Sequence, residues 1–278
     1  MANHLAVEKQ SLILSLLCEG QSVRATARIT DVSPVTVLKL LLEAGQKARE
    51  IHDTMMVNIK SSFIECDEQW AFIFRKQKRV AFDTEEASGD FYTFIALDSD
   101  TKLVPCYLVG KRNADTTTSF MKDLATRVVS RFQLSTDSFT PYLDAVDTVF
   151  GADIDYGQIH KEYGEPKGEE RRYSPGHIIR ATKKVIMGQP VQKRICTSYI
   201  ERQNLTVRMQ QRRFTRLTNG FSESLKHHEA AIDLHFFHYN FVRIHQTLRV
   251  TPAMEAKITN RLWSWKDLLM WGSEAIAA

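Results

Sequence analysis

Apolar residues recur at helical spacing along the first 46 residues and predict three short helices. The first spans residues 7–17 and ends at Gly20, and the second spans residues 23–30 behind Ser22, a residue type that caps helices. The third begins at Pro34, a favoured first position, behind a second capping serine. Its apolar face is formed by Val37, Leu38, Leu40 and Leu41.

A tight turn at Asp31 and Val32 joins the second of these helices to the third. This arrangement is typical of a helix-turn-helix, whose second helix enters the major groove of DNA. Thr36 and Lys39 would then lie on the side of the third helix that faces the DNA. A small helical bundle without a DNA role fits the same pattern, so both interpretations stay open at this point.

From residue 63 the pattern changes to the alternation of β-strands. Strands are predicted at residues 63–74, 91–97, 103–109, 132–136 and 154–160. Helices are predicted at residues 116–129, capped by Asp115, and at residues 141–150, opened by Pro141. Consecutive strands followed by alternating helices and strands predict an α/β fold, in which a mixed sheet is flanked by helices.

The same pattern predicts how the chain divides into domains. The predicted parts are a helix-turn-helix domain at residues 1–46, a linker or polar connecting helix at 47–60, an α/β domain at 61–250 and a helical tail at 251–278. A basic hairpin insertion is predicted at about residues 165–196, with strands 181–187 and 193–196, and a mobile solvated loop is the alternative. The tryptophans of the tail are expected to dock on the core or on a second protomer.

Three acids occupy positions that this topology would bring together. Asp67 lies within the first strand, Asp137 ends the fourth, and Glu201 lies in the first turns of the helix that follows Thr197 and Ser198, its candidate caps. Like charges held together require a cation, and oxygen ligands favour Mg²⁺, with Mn²⁺ as a substitute. Other acids could be proposed equally well from spacing alone, and any such trio is also compatible with solvated surface.

Positive charge is concentrated in one segment of the chain. Residues 171–216 contain nine arginines and three lysines but only one acid, Glu201, whereas the net charge of the whole chain is +4. Such a segment suits the phosphate backbone of DNA, and a solvated basic face is the alternative. The residues expected to contact double-stranded DNA are Thr36, Lys39, Arg171, Arg172, Lys183, Lys184, Lys193, Arg194, Arg202, Arg208, Arg212, Arg213 and Arg216.

Composition narrows the class of protein. No apolar run approaches the roughly 18 residues needed to span a bilayer, and the first ten residues lack the apolar core of a signal peptide. The four cysteines are far apart and indicate neither a disulfide framework nor a zinc site. Histidines recur around residues 235–245, where interleaved aromatic residues favour a packed helix over a zinc site. We therefore expect a cytoplasmic protein without a membrane partner.

Five segments carry a resemblance to a known family. They are CDEQWAFIFRKQ (66–77), YTFIALDSDTKL (92–103), STDSFTPYLDAVDTVFGADIDYGQIHKEYG (135–164), SYIERQNLTVRMQQRRFTRLTNGFS (198–222) and HYNFVRIHQTLRVTPAM (238–254). Together they resemble bacterial transposases of the insertion-sequence-one type, which belong to the DDE superfamily. The resemblance extends from the N-terminal helices to near the C-terminus, and the ERQNLT and RRFTRLTNGFS blocks are its most specific parts.

The resemblance implies a ribonuclease-H-like catalytic domain that depends on Mg²⁺ and cuts and joins DNA at inverted-repeat ends. It implies that Asp67, Asp137 and Glu201 are the catalytic and metal-binding acids. Two transposon ends require two active sites, so a homodimer or larger assembly on DNA is expected, at the bacterial nucleoid. The chain departs from the family where Ser138 and Phe139, rather than Gly-His, follow the second aspartate, and it lacks an N-terminal cysteine zinc module.

Two other functions are compatible with the same residues. A catalytically inactive, domesticated DNA-binding protein would keep the end-recognising helices alone, but it would have no physical reason to keep three mutually repelling acids. A plain nuclease of the same fold would cut without joining, but it would not need a helix-turn-helix that reads sequence. The transposase hypothesis is therefore preferred.

Overall fold

The structure, a computed structural model, describes residues 5–80, 87–164, 176–215 and 218–272. Its first three helices are α1 (Val7–Cys18), α2 (Val23–Thr30) and α3 (Pro34–Met55). The predicted caps of α2 and α3 are confirmed, because the side chains of Ser22 and Ser33 accept hydrogen bonds of 3.1 Å from backbone N–H groups one turn along. Asp31, in the left-handed conformation with φ of 50°, ends α2 and makes the turn into α3.

Helix α3 continues through the stretch predicted as a linker after residue 46 and ends only at Met55. The reason is a second buried stripe, in which Ala44, Gly45 and Ala48 pack closely against helix α7 (Leu225–Phe237). Small residues allow this close approach, and their burial stabilises helix where polarity alone had indicated a connector. Across the described residues, α3 included, no helix combines the length and the apolarity that a membrane crossing needs.

Six strands form one mixed sheet, in the order β3-β2-β1-β4-β5-β6. They are β1 (Phe63–Ile73), β2 (Gly89–Asp98), β3 (Cys106–Gly110), β4 (Gln133–Thr136), β5 (Asp155–Tyr163) and β6 (Ile178–Met187). The first three pair antiparallel as a meander, β4 is parallel to β1, β5 is parallel to β4, and β6 is antiparallel to β5. The predicted mixed sheet is confirmed, and β1 and β4 are neighbours within it.

Helices cover both faces of this sheet. They are α4 (Ala114–Arg127) and α5 (Pro141–Phe150) on one face, and α6 (Ser198–Gln210) and α7 on the other. Alternation along β2 separates the two faces, since Phe94 packs with Phe120 of α4, whereas Ile95 packs with Ile200 of α6 and Phe236 of α7. The sheet therefore presents one buried face to each pair of helices, as in an α/β layered fold.

The prediction that Asp115 caps α4 is wrong. The cap is Asn113, whose side-chain oxygen accepts a hydrogen bond of 2.9 Å from the backbone N–H of Thr116, and Asp115 lies in the first turn instead. Both residue types cap helices, so the sequence did not distinguish them.

The predicted pairing within the basic insertion is also wrong. Strand β6 pairs with β5 rather than with residues 193–196, the first two of which belong to a 3₁₀ turn at Gln192–Arg194. The side chain of Gln133 explains the difference, because it exchanges hydrogen bonds with the backbone N–H and carbonyl of Val191 at 2.7 and 3.3 Å. These bonds draw the chain after Pro190 towards β4, away from β6.

The C-terminal segment docks on the core of its own chain. Its two short helices are α8 (Pro252–Glu255) and α9 (Trp265–Leu269). The ring of Trp263 lies 5.1 Å from that of Phe241, and the ring of Trp265 stacks on His238 at 5.3 Å. Of the two docking positions expected for the tail, the structure has the one on the core.

Candidate active site

One cleft at the end of β4 contains all three of the acids that the sequence singled out. It has a volume of about 460 Å³, and Asp67, Asp137 and Glu201 line it together. The strand order explains this meeting, because β1 and β4 are neighbours and α6 packs across β1. Its other lining residues are Arg112, Ser138, Phe139, Thr140, Ile159, His160, Lys161, Tyr163 and Thr197.

Asp67 is the most enclosed of these three acids. The alternation of β1 turns its side chain towards α6, where its Oδ2 accepts a hydrogen bond of 2.8 Å from Nδ2 of Asn204. Its Oδ1 accepts a bond of 2.8 Å from the backbone N–H of Glu68. Burial, reinforced by the charges of Glu68 and Asp137, raises the pKa of Asp67 to about 7. Its hydrogen-bond donors are neutral, so its negative charge is not balanced by them.

Asp137 follows directly on β4 and projects into the cleft from the turn before α5. Its Oδ1 accepts a hydrogen bond of 2.9 Å from the backbone N–H of Phe139, which fixes the turn. Its Oδ2 lies 3.9 Å from the guanidinium of Arg112, which also packs over the Phe139 ring at 3.7 Å. Ser138 and Phe139, which follow Asp137 directly, also line the cleft and thus take part in shaping this wall.

A fourth acid, Glu68, belongs to the site and was missed by sequence analysis. Its side chain is 2% exposed and accepts a 3.0 Å hydrogen bond from Nε of Arg112. Burial raises its pKa, and the charge and hydrogen bond of Arg112 act against that rise. Strict alternation places residue 68 on the opposite face from residue 67, which is why it was not considered. The sequence feature that could have indicated Glu68 is the presence of a second acid directly after Asp67 inside a predicted strand.

Asp67, Glu68 and Asp137 form what we call the carboxylate cluster. One oxygen from each lies within 4.8 Å of the others, and among the described residues this is the one such group of three or more potential ligands. Glu201 lines the same cleft but is not a member of the cluster.

The donor set of the cluster fits a hard divalent cation. All of its ligand atoms are carboxylate oxygens, as Mg²⁺ and Mn²⁺ prefer. Two of the acids, Glu68 and Asp137, share the single guanidinium of Arg112, and Asp67 has only neutral donors. Burial first, and then the charges of Glu68 and Asp137, raise the pKa of Asp67, and a bound cation would stabilise its charged form. Asp67, Glu68 and Asp137 could therefore hold the ion, with Glu201 within the same cleft.

Glu201 lies in the first turn of α6 and is bound on one oxygen. Its Oε1 accepts a hydrogen bond of 2.7 Å from Oγ1 of Thr197 and another from Nζ of Lys161, a residue of β5. Of the two candidate caps, Thr197 occupies the N-cap position of α6, but its side chain makes no capping hydrogen bond to the helix. Thr197 instead holds the carboxylate of Glu201 in place.

The N-terminus of α6 is capped by a side chain from the sheet. Oε2 of Glu65 accepts hydrogen bonds of 2.9 and 3.0 Å from the backbone N–H groups of Tyr199 and Ile200. Burial raises the pKa of Glu65 to about 7, although these bonds and the charge of Lys102 lower it. This contact joins positions far apart in sequence, and no local pattern predicts it.

Asn204 ties α6 to β1 one turn further along. It donates to Asp67, and its backbone carbonyl accepts a 3.2 Å bond from Nε2 of Gln69. Glu65, Asp67 and Gln69 thus alternate along one face of β1, and each bonds to α6. Asn204 was not among the predicted site residues, although it lies three residues after Glu201 in the sequence ERQN.

The arginines expected to contact DNA differ in solvent exposure and in their hydrogen bonds within the protein. Arg202 and Arg212 are exposed, and Arg208 is half-buried. Helix α6 ends at Gln210, and Arg212 lies beyond it in a 3₁₀ turn, Arg212–Phe214. Arg213 donates 3.1 and 2.7 Å hydrogen bonds to Ser222 Oγ and the His227 carbonyl, and burial lowers its pKa to about 10. Its guanidinium is therefore engaged inside the protein.

The remaining predicted DNA contacts lie on two surfaces. Lys183 and Lys184 are exposed on β6 and Lys193 beside it, and Nζ of Lys183 donates to the carbonyls of Gln192 and Lys193. Arg194 pairs with Asp100 and packs over the ring of Phe63. On α3, Lys39 is exposed, whereas the hydroxyl of Thr36 bonds to that of Ser33 at 2.8 Å. Arg171, Arg172 and Arg216 lie outside the described residues.

Comparisons with known proteins assign no family to this chain. No protein-family model matches it, and no curated protein sequence matches it. The chemistry of the cleft and the motifs that form its walls therefore carry the functional conclusion.

Proposed function

We propose that this protein is a metal-dependent DNA transposase of the DDE type, which cleaves DNA at the ends of an insertion sequence and joins those ends to a target. The observation that carries the proposal is that Asp67, Asp137 and Glu201, the acids matched to the family's catalytic positions, line one cleft. They come from β1, the end of β4 and α6, three elements widely separated in sequence.

The architecture supports the proposal at the level of the fold. An antiparallel meander continued by the parallel strands β4 and β5, with the third acid on a helix packed across β1, is compatible with a ribonuclease-H-like domain. The helices α2 and α3, with their tight turn, are compatible with a helix-turn-helix that reads the terminal repeat. Two ends joined to one target would require two such clefts, in a homodimer or larger assembly.

The proposed chemistry follows from the charges in the cleft. Divalent cations bound there would activate an attacking water or 3′-hydroxyl and stabilise the leaving oxygen of a phosphodiester. Asp67 and Asp137 would bind them with Glu68, and Glu201 would complete the site. Arg202, exposed beside Glu201, would hold a DNA phosphate, and the lysines of β6 would position the backbone without reading its sequence.

The test uses purified protein, Mg²⁺ and a labelled duplex carrying the terminal repeat of the element. Wild type is expected to cut the end and join it to a plasmid, whereas Glu201→Gln should still bind the duplex but lose at least about a hundredfold in cutting rate. Glu255→Gln, an exposed acid at the end of α8, is the matched control and should retain activity.

Each other result selects a different function. If wild type and Glu201→Gln bind equally and neither cuts with Mg²⁺ or Mn²⁺, the protein is a DNA-binding protein without catalysis. If wild type cuts the duplex but never joins it, the protein is a nuclease.

A further inference from the structure

Lys161 occupies a position in the cleft that the proposed reaction does not use. It lies on β5, its side chain is 13% exposed, and its Nζ donates hydrogen bonds to Oγ1 of Thr197, at 3.0 Å, and to Oε1 of Glu201. Thr197 donates to that same oxygen at 2.7 Å. One oxygen of Glu201 is thus held by two donors, one of which is a full positive charge.

This contact coincides with the position of Glu201 outside the carboxylate cluster. Glu68 and Asp137 are drawn together by Arg112, and Asp67 is held by Asn204, so all three lie within ligand distance of one another. Glu201 lines the same cleft but is bonded to the opposite wall, on β5. Glu201 therefore has a cationic partner of its own, whereas Glu68 and Asp137 share Arg112 and Asp67 has only neutral donors.

We propose that Lys161 is a positioning residue that holds Glu201 apart from the carboxylate cluster and competes with the divalent cation for its carboxylate. The inference rests on the proposed function, because it takes the cleft to be a divalent-cation site. A carboxylate that moves onto a divalent cation must part from the ammonium or bring two positive centres close together, and like charges in a partly enclosed cleft repel strongly. Lys161 therefore sets the affinity with which Glu201 joins the site.

The exchange requires movement of one side chain only. Glu201 is 45% exposed, so its carboxylate can rotate between staggered conformers without displacing packed neighbours. Helix α6 stays fixed, because Glu65 and Asp67 anchor it to β1 on either side of Glu201. Water can screen the ion pair on the side of Glu201, which is 45% exposed, so a divalent cation with its higher charge can displace the ammonium of Lys161.

The experiment measures Mn²⁺ binding to the full chain without DNA, by isothermal titration and by the electron paramagnetic resonance of free Mn²⁺. Lys161→Met keeps the apolar stem and removes the charge, and it is expected to bind Mn²⁺ about three- to tenfold more tightly than wild type. Lys161→Gln should show the same gain, and Lys161→Arg should resemble wild type. Lys122→Met, an exposed lysine of α4 outside the cleft, is the matched control and should leave the affinity unchanged.

Repeating the measurement in the Glu201→Gln variant shows whether Lys161 acts through the carboxylate of Glu201. Glu201→Gln is expected to weaken Mn²⁺ binding, and adding Lys161→Met to it should give no further gain, because the contested carboxylate is gone. The proposal is overturned if both neutral variants bind Mn²⁺ no better than wild type, if the gain persists in the Glu201→Gln background, or if no variant binds Mn²⁺. A wild type that binds Mn²⁺ but never cuts DNA would instead refute the proposed function and leave this inference standing.

Discussion

At the scale of single residues, the acids of the cleft are held by different kinds of partner. Asp67 is held by the neutral amide of Asn204, Glu68 and Asp137 are held by Arg112, and Glu201 is held by Lys161. A neutral donor fixes the orientation of a carboxylate but leaves its charge available, whereas a cationic partner competes with a metal for it. Asp67, whose pKa is raised to about 7, is therefore the acid best prepared for a divalent cation.

Replacing Asn204, the neutral donor, by an aspartate tests whether the charge of Asp67 is uncompensated. Asn204→Asp would lose the Nδ2 donor and set a second carboxylate against Asp67 in a buried position. We expect the free energy of unfolding, measured by urea denaturation near pH 8 without divalent cations, to fall by about 1–3 kcal/mol. Added Mg²⁺ should recover more stability in this variant than in wild type, because a cation relieves the repulsion.

Asn219→Asp is the matched control for that change. Asn219 is exposed, so the same chemical substitution there should alter the free energy of unfolding by less than about 0.5 kcal/mol. Equal effects of the two substitutions would show that the contact between Asn204 and Asp67 does not govern the charge balance of the cleft.

At the scale of elements, local signals were predictable and long-range ones were not. The serine caps of α2 and α3 were predicted correctly because cap and helix are adjacent in sequence. The cap of α6 was not, because Glu65 reaches it from β1, 134 residues away. The partner of β6 likewise depended on a side chain of β4, Gln133, that no pattern within β6 reveals.

The site shows the same division. The meeting of Asp67 and Asp137 followed from the predicted neighbourhood of their strands, and the structure has these strands paired. The part played by Glu68 did not follow, because alternation assigns neighbouring residues to opposite faces of a strand. The pairing of β1 with β4 ends at Glu65, and beyond it oxygens of both Asp67 and Glu68 lie close to Asp137. Lys161 was not singled out either, since its partner Glu201 is brought to it only by the packing of α6.

The close contact between α3 and α7 gives a prediction at this scale. Alanine in place of Gly45 would normally stabilise a helix by about 0.5–1 kcal/mol. Here the new Cβ would lie 2.6 Å from Cα and 2.7 Å from the carbonyl oxygen of Ala230, and backbone atoms cannot move aside cheaply. An overpacking cost of about 1–3 kcal/mol should prevail, so Gly45→Ala is expected to destabilise the protein in urea denaturation.

The prediction for Gly45→Ala is tested by whether the free energy of unfolding falls or rises. Gln46→Ala, at the next and exposed position of α3, is the matched control and should change the free energy of unfolding by less than about 0.5 kcal/mol. A stabilised Gly45→Ala variant would mean that α3 and α7 are not packed as closely as the structure has them.

At the scale of the whole molecule, the N-terminal helices and the sheet share one hydrophobic core. Buried residues of α1 and α3, such as Ile13 and Ile51, belong to the same cluster as Phe94 of β2 and Phe237 of α7. A polar contact spans the same elements, since the hydroxyl of Tyr107 on β3 donates to Asp233 of α7 at 2.9 Å. The guanidinium of Arg49 on α3 packs over the Tyr107 ring at 5.3 Å. The helices proposed to read DNA are thus joined rigidly to the proposed catalytic domain.

Asp233 makes the stability of this assembly depend on pH. Burial raises its pKa to about 7, although the bond from Tyr107 and the charge of Arg49 oppose the rise. The pKa of an aspartate in the unfolded chain is about 4. Between pH 4 and pH 7 the Asp233 carboxyl is therefore protonated in the native state but ionised in the unfolded state. The stability due to Asp233 is complete below about pH 4 and is lost as pH rises towards 7. Over that window the loss from this one residue is about 2–4 kcal/mol.

Asp233→Asn isolates this contribution, because asparagine keeps an oxygen that accepts the bond from Tyr107 but does not ionise. The free energy of unfolding should therefore fall less between pH 4 and pH 7 in the variant than in wild type. The two proteins must be compared, because other buried groups also change stability with pH. Glu65 likewise lowers the free energy of unfolding as pH rises, whereas His228, whose pKa burial lowers to about 3, raises it. Asp147→Asn, at an exposed position of α5, should reproduce the wild-type dependence. If the free energy of unfolding of wild type and of Asp233→Asn changed equally with pH, Asp233 would be ionised in the native state. The contact between α3, β3 and α7 would then be more accessible to water than its packing indicates.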